Sequence, residues 1–212
     1  MRDYDRTYYV IVVGNSVYFS SSADDSVHCL DAQSGKPKWT FTADGPVRIA
    51  PEFSNGRIFF GSDDGRAYCI DAANGTLIWK SAPQTDDERI LNNGRFISRL
   101  PCRTGVIVEG TTAYYGLAML PWRESYLCAV DVRTGKPTGV GRYVNSWHGE
   151  TFEGALLASA GHILAPRGRV SPMLLDQETG KRIGALKGGG GSKVTISRDG
   201  RIMHGPGNKT GW

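Results

Sequence analysis

A short turn motif recurs four times along the chain and limits the folds that are open to it. The motif reads Asp-x-x-(Ser/Thr/Asn)-Gly. Its copies are Asp31–Gly35, Asp71–Gly75, Asp131–Gly135 and Asp176–Gly180. The first two copies lie 40 residues apart, and a tryptophan follows each of them, Trp39 and Trp79. Strand-rich repeats of about 40 residues are typical of β-propeller blades.

The stretch from Gly56 to Trp79 shows how each repeat is built. Short apolar runs alternate with the dipeptides Asn55-Gly56, Asp64-Gly65 and Asn74-Gly75. Each dipeptide supplies a residue that tolerates positive φ, which tight hairpin turns require. Counting Val47–Phe53 as a first strand, the pattern predicts four antiparallel strands, which is one propeller blade.

We therefore predict an all-β fold, a β-propeller of four-stranded antiparallel blades that forms an incomplete arc of about four and a half blades. The whole chain, residues 1–212, is predicted to be one propeller region and a fragment of a larger ring, with two exposed apolar blade faces. The predicted units cover about residues 8–42, 47–80, 106–141 and 155–186, with a partial unit over 192–212. In the third unit the predicted strands are Val106–Glu109, Thr112–Leu117, Ser125–Asp131 and Lys136–Gly141.

Composition excludes several classes of protein. With 40% hydrophobic residues, 28 glycines and no apolar run long enough to cross a bilayer, the chain reads as a turn-rich soluble β protein without a transmembrane segment. The net charge of +4 is spread along the chain, so we expect no nucleic-acid partner. The cysteines form no Cys-x-x-Cys pair, and Cys29 and Cys69 are predicted to be small buried apolar residues.

Two long connections carry the candidate contact residues. The first, between Ser81 and Gly105, is polar and contains Arg95, Arg99 and Arg103. Long connections in compact domains are commonly functional or disordered. Either this one is a solvated loop whose arginines pair with acidic residues 86–88, or it lies over one propeller face and places arginines against an anionic ligand.

Two further candidates lie in and after the third unit. Trp122 lies in a stretched turn, where it would contact a partner or pack on the next blade. His148 and Glu150 lie in the second long connection, Tyr143 to Glu153, and would suit an acid–base or metal site. No second histidine lies at ligand spacing, so we predict no metal site.

The stretches His28–Trp39 and Tyr68–Trp79 resemble the repeats of pyrroloquinoline-quinone-type (PQQ-like) β-propellers. In that family the tryptophan that ends the motif docks against a neighbouring blade, and the resemblance implies this role for Trp39 and Trp79. A WD-type propeller fits less well, because no unit ends in Trp-Asp. One branch of the family consists of quinoprotein dehydrogenases, which hold PQQ under a disulfide between adjacent cysteines, with calcium and a catalytic aspartate. The other branch resembles a non-enzymatic outer-membrane assembly lipoprotein.

The chain has no adjacent cysteines, so we expect a non-catalytic binding or scaffold module without a bound cofactor. Its partner would be a protein or the remaining blades of its own propeller. The alternatives are a fragment of a PQQ- and calcium-dependent alcohol or sugar dehydrogenase, and a propeller appended to another enzyme. No signal peptide precedes the first strand, so the residues leave the localisation open, and the resemblance implies the periplasm or cell envelope.

Overall fold

The computed structural model describes residues 10–83, 88–191 and 193–205. Every regular element in these ranges is a β-strand, so the described part of the chain contains no helix that could span a membrane. The first sheet contains β1 (Val10–Val13), β2 (Ser16–Ser21), β3 (Ser26–Asp31) and β4 (Pro37–Thr42). The second contains β5 (Glu52–Ser54), β6 (Arg57–Ser62), β7 (Arg66–Asp71) and β8 (Leu77–Ser81), and a hairpin follows, β9 (Arg89–Asn92) and β10 (Arg95–Ser98). The third contains β11 (Ile107–Glu109), β12 (Thr112–Leu117), β13 (Glu124–Asp131) and β14 (Tyr143–His148). The fourth contains β15 (Leu157–Ser159), β16 (His162–Arg167), β17 (Val170–Asp176) and β18 (Arg182–Ala185), and a last hairpin follows, β19 (Val194–Ile196) and β20 (Ile202–His204).

Each four-stranded sheet is an antiparallel meander in which the strands lie in chain order. The first strands of successive sheets contact one another, β1 with β5, β5 with β11, and β11 with β15. The sheets are therefore arranged around a common axis, with their first strands innermost. This is the predicted propeller architecture, an arc of four complete blades followed by the hairpin β19–β20, and the hairpin β9–β10 is inserted between the second and third blades.

The core lies between neighbouring sheets. Successive strand residues point to opposite faces, so Phe60 packs towards the first sheet and Phe59 towards the third. The third interface buries Phe152 and Met173 between the third and fourth sheets. Each internal sheet is thus buried on both faces, as blades of a propeller are.

The repeated turn motif folds in the same way in all four sheets. In the first, the Asp31 carboxylate accepts hydrogen bonds from the backbone N–H groups of Gln33 and Ser34, at 3.2 and 2.8 Å. The Gly35 N–H donates to the Asp31 carbonyl at 2.8 Å, and Gly35 has a φ of 67°, which glycine adopts at little cost. The aspartate and glycine of the motif are therefore both required by local geometry.

The tryptophans of the first two sheets dock onto this turn in the next sheet, as the family resemblance implied. The Trp39 indole N–H donates to the Ala72 carbonyl at 3.1 Å, and the Trp79 indole N–H donates to the Val132 carbonyl at 3.0 Å. A Cβ added to Gly75 would lie 2.9 Å from the Trp39 ring, and one added to Gly135 would lie 2.7 Å from the Trp79 ring. Glycine is therefore needed here to admit the ring as well as to make the turn.

Tyr143 takes the place of tryptophan in the third sheet. It pairs with Ala129, two residues before the turn aspartate, just as Trp39 pairs with Cys29. Its hydroxyl donates to the Gln177 carbonyl at 3.3 Å, and its ring covers Gly180. Three successive interfaces therefore share one docking contact.

Three strand predictions were wrong. The last strand of the third sheet is β14 and not Lys136–Gly141, because Pro137 and the positive-φ residues Gly139 and Gly141 do not suit a strand. The first strand of the second sheet begins at Glu52 and not at Val47, because the segment from 43 to 51 contains two prolines and runs as a connection. The polar connection before Gly105 contains the unpredicted hairpin β9–β10.

The cysteines are free thiols in the interior. Cys29 and Cys69 are fully buried, as predicted, and Cys102 and Cys128 are buried as well. Burial raises the pKa of Cys69 and Cys128 to about 12, so these thiols stay protonated near neutral pH.

Apolar side chains are exposed on the first and the last described strands. They are Val10 and Val12 on the first strand and Ile202 and Met203 on the last.

We expect the turn at Asp31 to make stability depend on pH in the acid range. Hydrogen bonds from the Ser34 backbone N–H and hydroxyl hold the pKa of Asp31 down to about 2. Because this pKa is lower in the folded state than in the unfolded state, the stabilisation is present above about pH 4 and is lost as pH falls towards about 2. Asp31→Asn should therefore be less stable than the parent at about pH 6, and the difference should shrink on acidification. Urea unfolding followed by circular dichroism at several pH values measures it, and a constant difference would contradict the assignment.

Candidate functional site

The connections between sheets and the turns between second and third strands lie together on one face of the arc. In a meander of antiparallel strands these segments meet at the sheet edge opposite to the Asp-x-x-x-Gly turns. We call this side the loop face. It comprises the turns 22–25, 63–65, 118–123 and 168–169 and the described parts of the connections, which are residues 43–51, 82–83, 88–106 and 149–156. All five candidate contact residues are in these segments or at their borders.

A buried carboxylate holds the centre of the loop face together. The Asp63 side chain is 1% exposed and lies in the turn between β6 and β7. It accepts a 2.7 Å hydrogen bond from Nε of Arg48 in the preceding connection. Nε and one terminal nitrogen of Arg103, in the following connection, both donate to it at 3.1 Å. One carboxylate thus joins two inter-sheet connections to the second sheet, and both of its oxygens are engaged.

Arg95 attaches the hairpin β9–β10 to the first sheet. Its guanidinium lies 2.5 Å from the Asp25 carboxylate and also donates to the carbonyls of Ser22 and Ala23. Burial raises the pKa of Asp25 despite this positive charge nearby. Arg99 is the third predicted arginine, and it pairs with Glu88 at 3.2 Å. Pairing within the connection is thus confirmed for Glu88, whereas Asp86 and Asp87 lie outside the described residues.

Trp122 and His148 lie at the outer corner of the third sheet. Trp122 is 65% exposed in the turn before β13. His148 is exposed at the end of β14, opposite Glu124, the first residue of β13. Glu150 accepts hydrogen bonds from Arg167 and Arg182 and so ties the next connection to the fourth sheet.

The hairpin β9–β10 adds two exposed apolar residues that were not predicted as contact residues. Leu91 and Phe96 face each other across the hairpin and are 67% and 66% exposed. The opposite face of the hairpin buries Ile97 against the blades. The signal was the dipeptide Asn93-Gly94, whose φ angles of 50° and 79° are those of the tightest hairpin turns.

Four carboxylates of the loop face are engaged by other side chains of the protein. Asp63, Asp25 and Glu150 are each bound by arginine, and the Asp64 carboxylate accepts a hydrogen bond from the Tyr68 hydroxyl. Within the described ranges no group of three or more His, Cys, Asp or Glu residues is arranged to hold a metal ion.

Comparison with known proteins identifies the family. The family model described as outer membrane protein assembly factor BamB matches residues 7–143, which is more than half of the chain. Among curated proteins, a 1-butanol dehydrogenase (cytochrome c) of Thauera butanivorans is 30% identical over 89 residues, which cover 37% of this chain and 13% of that protein.

Solved structures share the fold. BamB from Moraxella catarrhalis matches with a TM-score of 0.57 and 14% identity over 89% of this chain and 54% of that one. The quinohemoprotein alcohol dehydrogenase from Comamonas testosteroni matches with a TM-score of 0.67 and 16% identity, over 92% of this chain and 38% of that one. The chain thus spans only part of each of these three proteins. Together with the family match, the repeated turn and its docked aromatic show that this chain belongs to the PQQ-like β-propeller family.

Proposed function

We propose that this chain is a non-catalytic propeller module that binds a protein partner through its loop face, in a cell-envelope setting. The observation that carries the proposal is the exposure of three large apolar side chains, Leu91, Phe96 and Trp122, on that one face. Large exposed aromatic residues are over-represented among the residues that dominate binding energy at protein interfaces. Loops held by a rigid scaffold are the usual place for such contacts.

The charged residues of the face support the same function by holding its shape. Arg95, Arg99 and Arg103 each form an ion pair within the protein. If these arginines contact a ligand or partner as predicted, they would do so through guanidinium N–H groups that the ion pairs do not engage. Trp122 and His148 lie exposed, so we expect them to contribute more of the direct contact.

Site-specific photo-crosslinking in cells tests this function. A benzophenone amino acid is placed at position 96 or 122 on the loop face, and at position 133 as control. Arg133 is 77% exposed, but it lies on the Asp131 turn at the opposite edge. We expect a discrete crosslinked protein at 96 and 122 and none at 133. Crosslinks that are equal at all three positions, or absent from all, would contradict the proposal.

A PQQ-dependent alcohol dehydrogenase is the second candidate, because the 1-butanol dehydrogenase of T. butanivorans is the sequence relative described above. In a third candidate, this propeller is appended to another enzyme, and the catalytic residues lie outside these blades. PQQ and calcium are titrated into the full-length protein while dye-linked alcohol oxidation is followed. Turnover would refute the non-catalytic function.

A further inference from the structure

The hairpin β9–β10 is a two-stranded sheet that stands on the loop face. Asn92 and Arg95 flank its two-residue turn, and Leu91 pairs with Phe96, Ile90 with Ile97, and Arg89 with Ser98. In an antiparallel hairpin with such a turn, the pair next to the turn exchanges hydrogen bonds and the following pairs alternate. The backbone N–H and C=O groups of Leu91 and Arg89 therefore point away from β10.

The two edges of this hairpin have different environments. On the β10 side, the Ser98 N–H donates to the Asp63 carbonyl at 2.7 Å, so this edge is fixed to the second sheet. On the β9 side, the backbone groups of Arg89 and Leu91 bond to no residue in the described ranges. A strand edge with unpaired backbone groups is a template for another strand, and native proteins usually block such edges.

The side chains next to the open edge define what would fit. Arg89 and Leu91 are two residues apart and so lie on the same face of β9 as Phe96. Leu91 and Phe96 form an exposed apolar pair, and Arg89 is exposed without an ion pair to a described residue. This face combines apolar surface with one positive charge at a fixed spacing.

We propose that β9 binds an extended segment of a partner protein as a third strand. The segment carries an apolar side chain beside Leu91 and Phe96 and a carboxylate two residues away, beside Arg89. Backbone hydrogen bonds to the Arg89 and Leu91 groups provide the pairing, and the two side chains provide the selectivity. The inference rests on the proposed function, since it names the element of the loop face that binds and the chemistry of its partner.

A random linear heptapeptide library displayed on phage is the probe. It is panned against the immobilised protein, and enriched peptides are synthesised and titrated against variants. Leu91→Pro removes an N–H that points outward, so the hydrogen bonds of the hairpin stay intact. Arg89→Glu reverses the selecting charge, and Ile183→Ser, at an exposed residue of β18, is the matched control.

We expect enriched peptides with an acidic and an apolar residue two positions apart. Their affinity should fall about tenfold or more for Leu91→Pro and Arg89→Glu, which is the scale of one lost hydrogen bond or ion pair in a desolvated site, and stay unchanged for Ile183→Ser. In the complex, amide exchange should slow at Arg89 and Leu91. Failure to enrich any peptide, or equal binding to all variants, would overturn the inference. If position 122 still crosslinks a partner in that case, the loop-face function stands and only the strand pairing fails.

Discussion

Trp79→Ala should lower the free energy of unfolding by about 3–5 kcal/mol, the usual cost of deleting a large buried aromatic side chain. Trp79 is 7% exposed, packs near Phe59 at a ring-centroid distance of 5.9 Å, and donates its N–H to the Val132 carbonyl. The substitution leaves a cavity over Gly135 and removes one of the contacts that join the second sheet to the third. Chemical denaturation followed by circular dichroism measures the loss.

Trp122→Ala is the matched control for this prediction, because that tryptophan is 65% exposed and buries little surface. We expect it to change stability by no more than about 0.5 kcal/mol. Trp79→Phe should recover part of the packing but not the hydrogen bond. Equal effects of the two alanine substitutions would show that the docked ring does not hold the sheets together.

Asp63→Ala should cost about 3 kcal/mol, because it leaves Arg103 largely buried without its partner. Arg48 is more exposed and recovers hydration when the carboxylate is removed, so it adds less to the loss. The same change should increase protease cleavage within the connections 43–51 and 99–106, which Asp63 holds in place. Equilibrium denaturation and limited proteolysis with mapped cleavage sites measure the two effects.

Asp199→Ala provides the comparison, since Asp199 pairs with Arg201 on the surface, where both side chains are more than half exposed. Exposed pairs contribute little, so this change should stay within about 0.5 kcal/mol. If Asp63→Ala lowered the free energy of unfolding as little as Asp199→Ala, the contacts of Asp63 with Arg48 and Arg103 would not stabilise the fold.

The repeated turn was predictable from sequence because its interactions are local. The Asp31 side chain bonds to backbone groups two and three residues away, and Gly35 is fixed by its own φ, so residue identity and spacing carry the information. The docking of Trp39 and Trp79 followed from the family resemblance. Tyr143 was missed because the segment from Pro137 to Arg142 displaces the last strand of the third sheet away from the repeat spacing.

The loop face was less predictable. The two arginines on Asp63 lie 15 and 40 residues from it, and many other pairings of arginines and carboxylates were equally compatible with the sequence. Pairing of Arg95, Arg99 and Arg103 with the acidic residues 86–88 was one of the two predicted alternatives. Arg99 does pair with Glu88, whereas Arg95 pairs with Asp25 and Arg103 with Asp63, which are far away in the sequence. The hairpin β9–β10 was not predicted, because the residues on both sides of the turn dipeptide Asn93-Gly94 are largely polar and the whole segment was interpreted as a loop. Leu91 and Phe96 could be identified as candidate contact residues only from the structure, which shows that both side chains are exposed.

The docked aromatic residues all point in the same direction along the chain, from each sheet to the one that follows. Each of the three joints between the four sheets is thus head-to-tail and uses the same two parts, a ring on the fourth strand and a glycine turn on the next sheet. A gene duplication that inserts or removes one whole repeat would create the same joint again at the new boundary. Repeat number could therefore change without a new kind of interface between sheets.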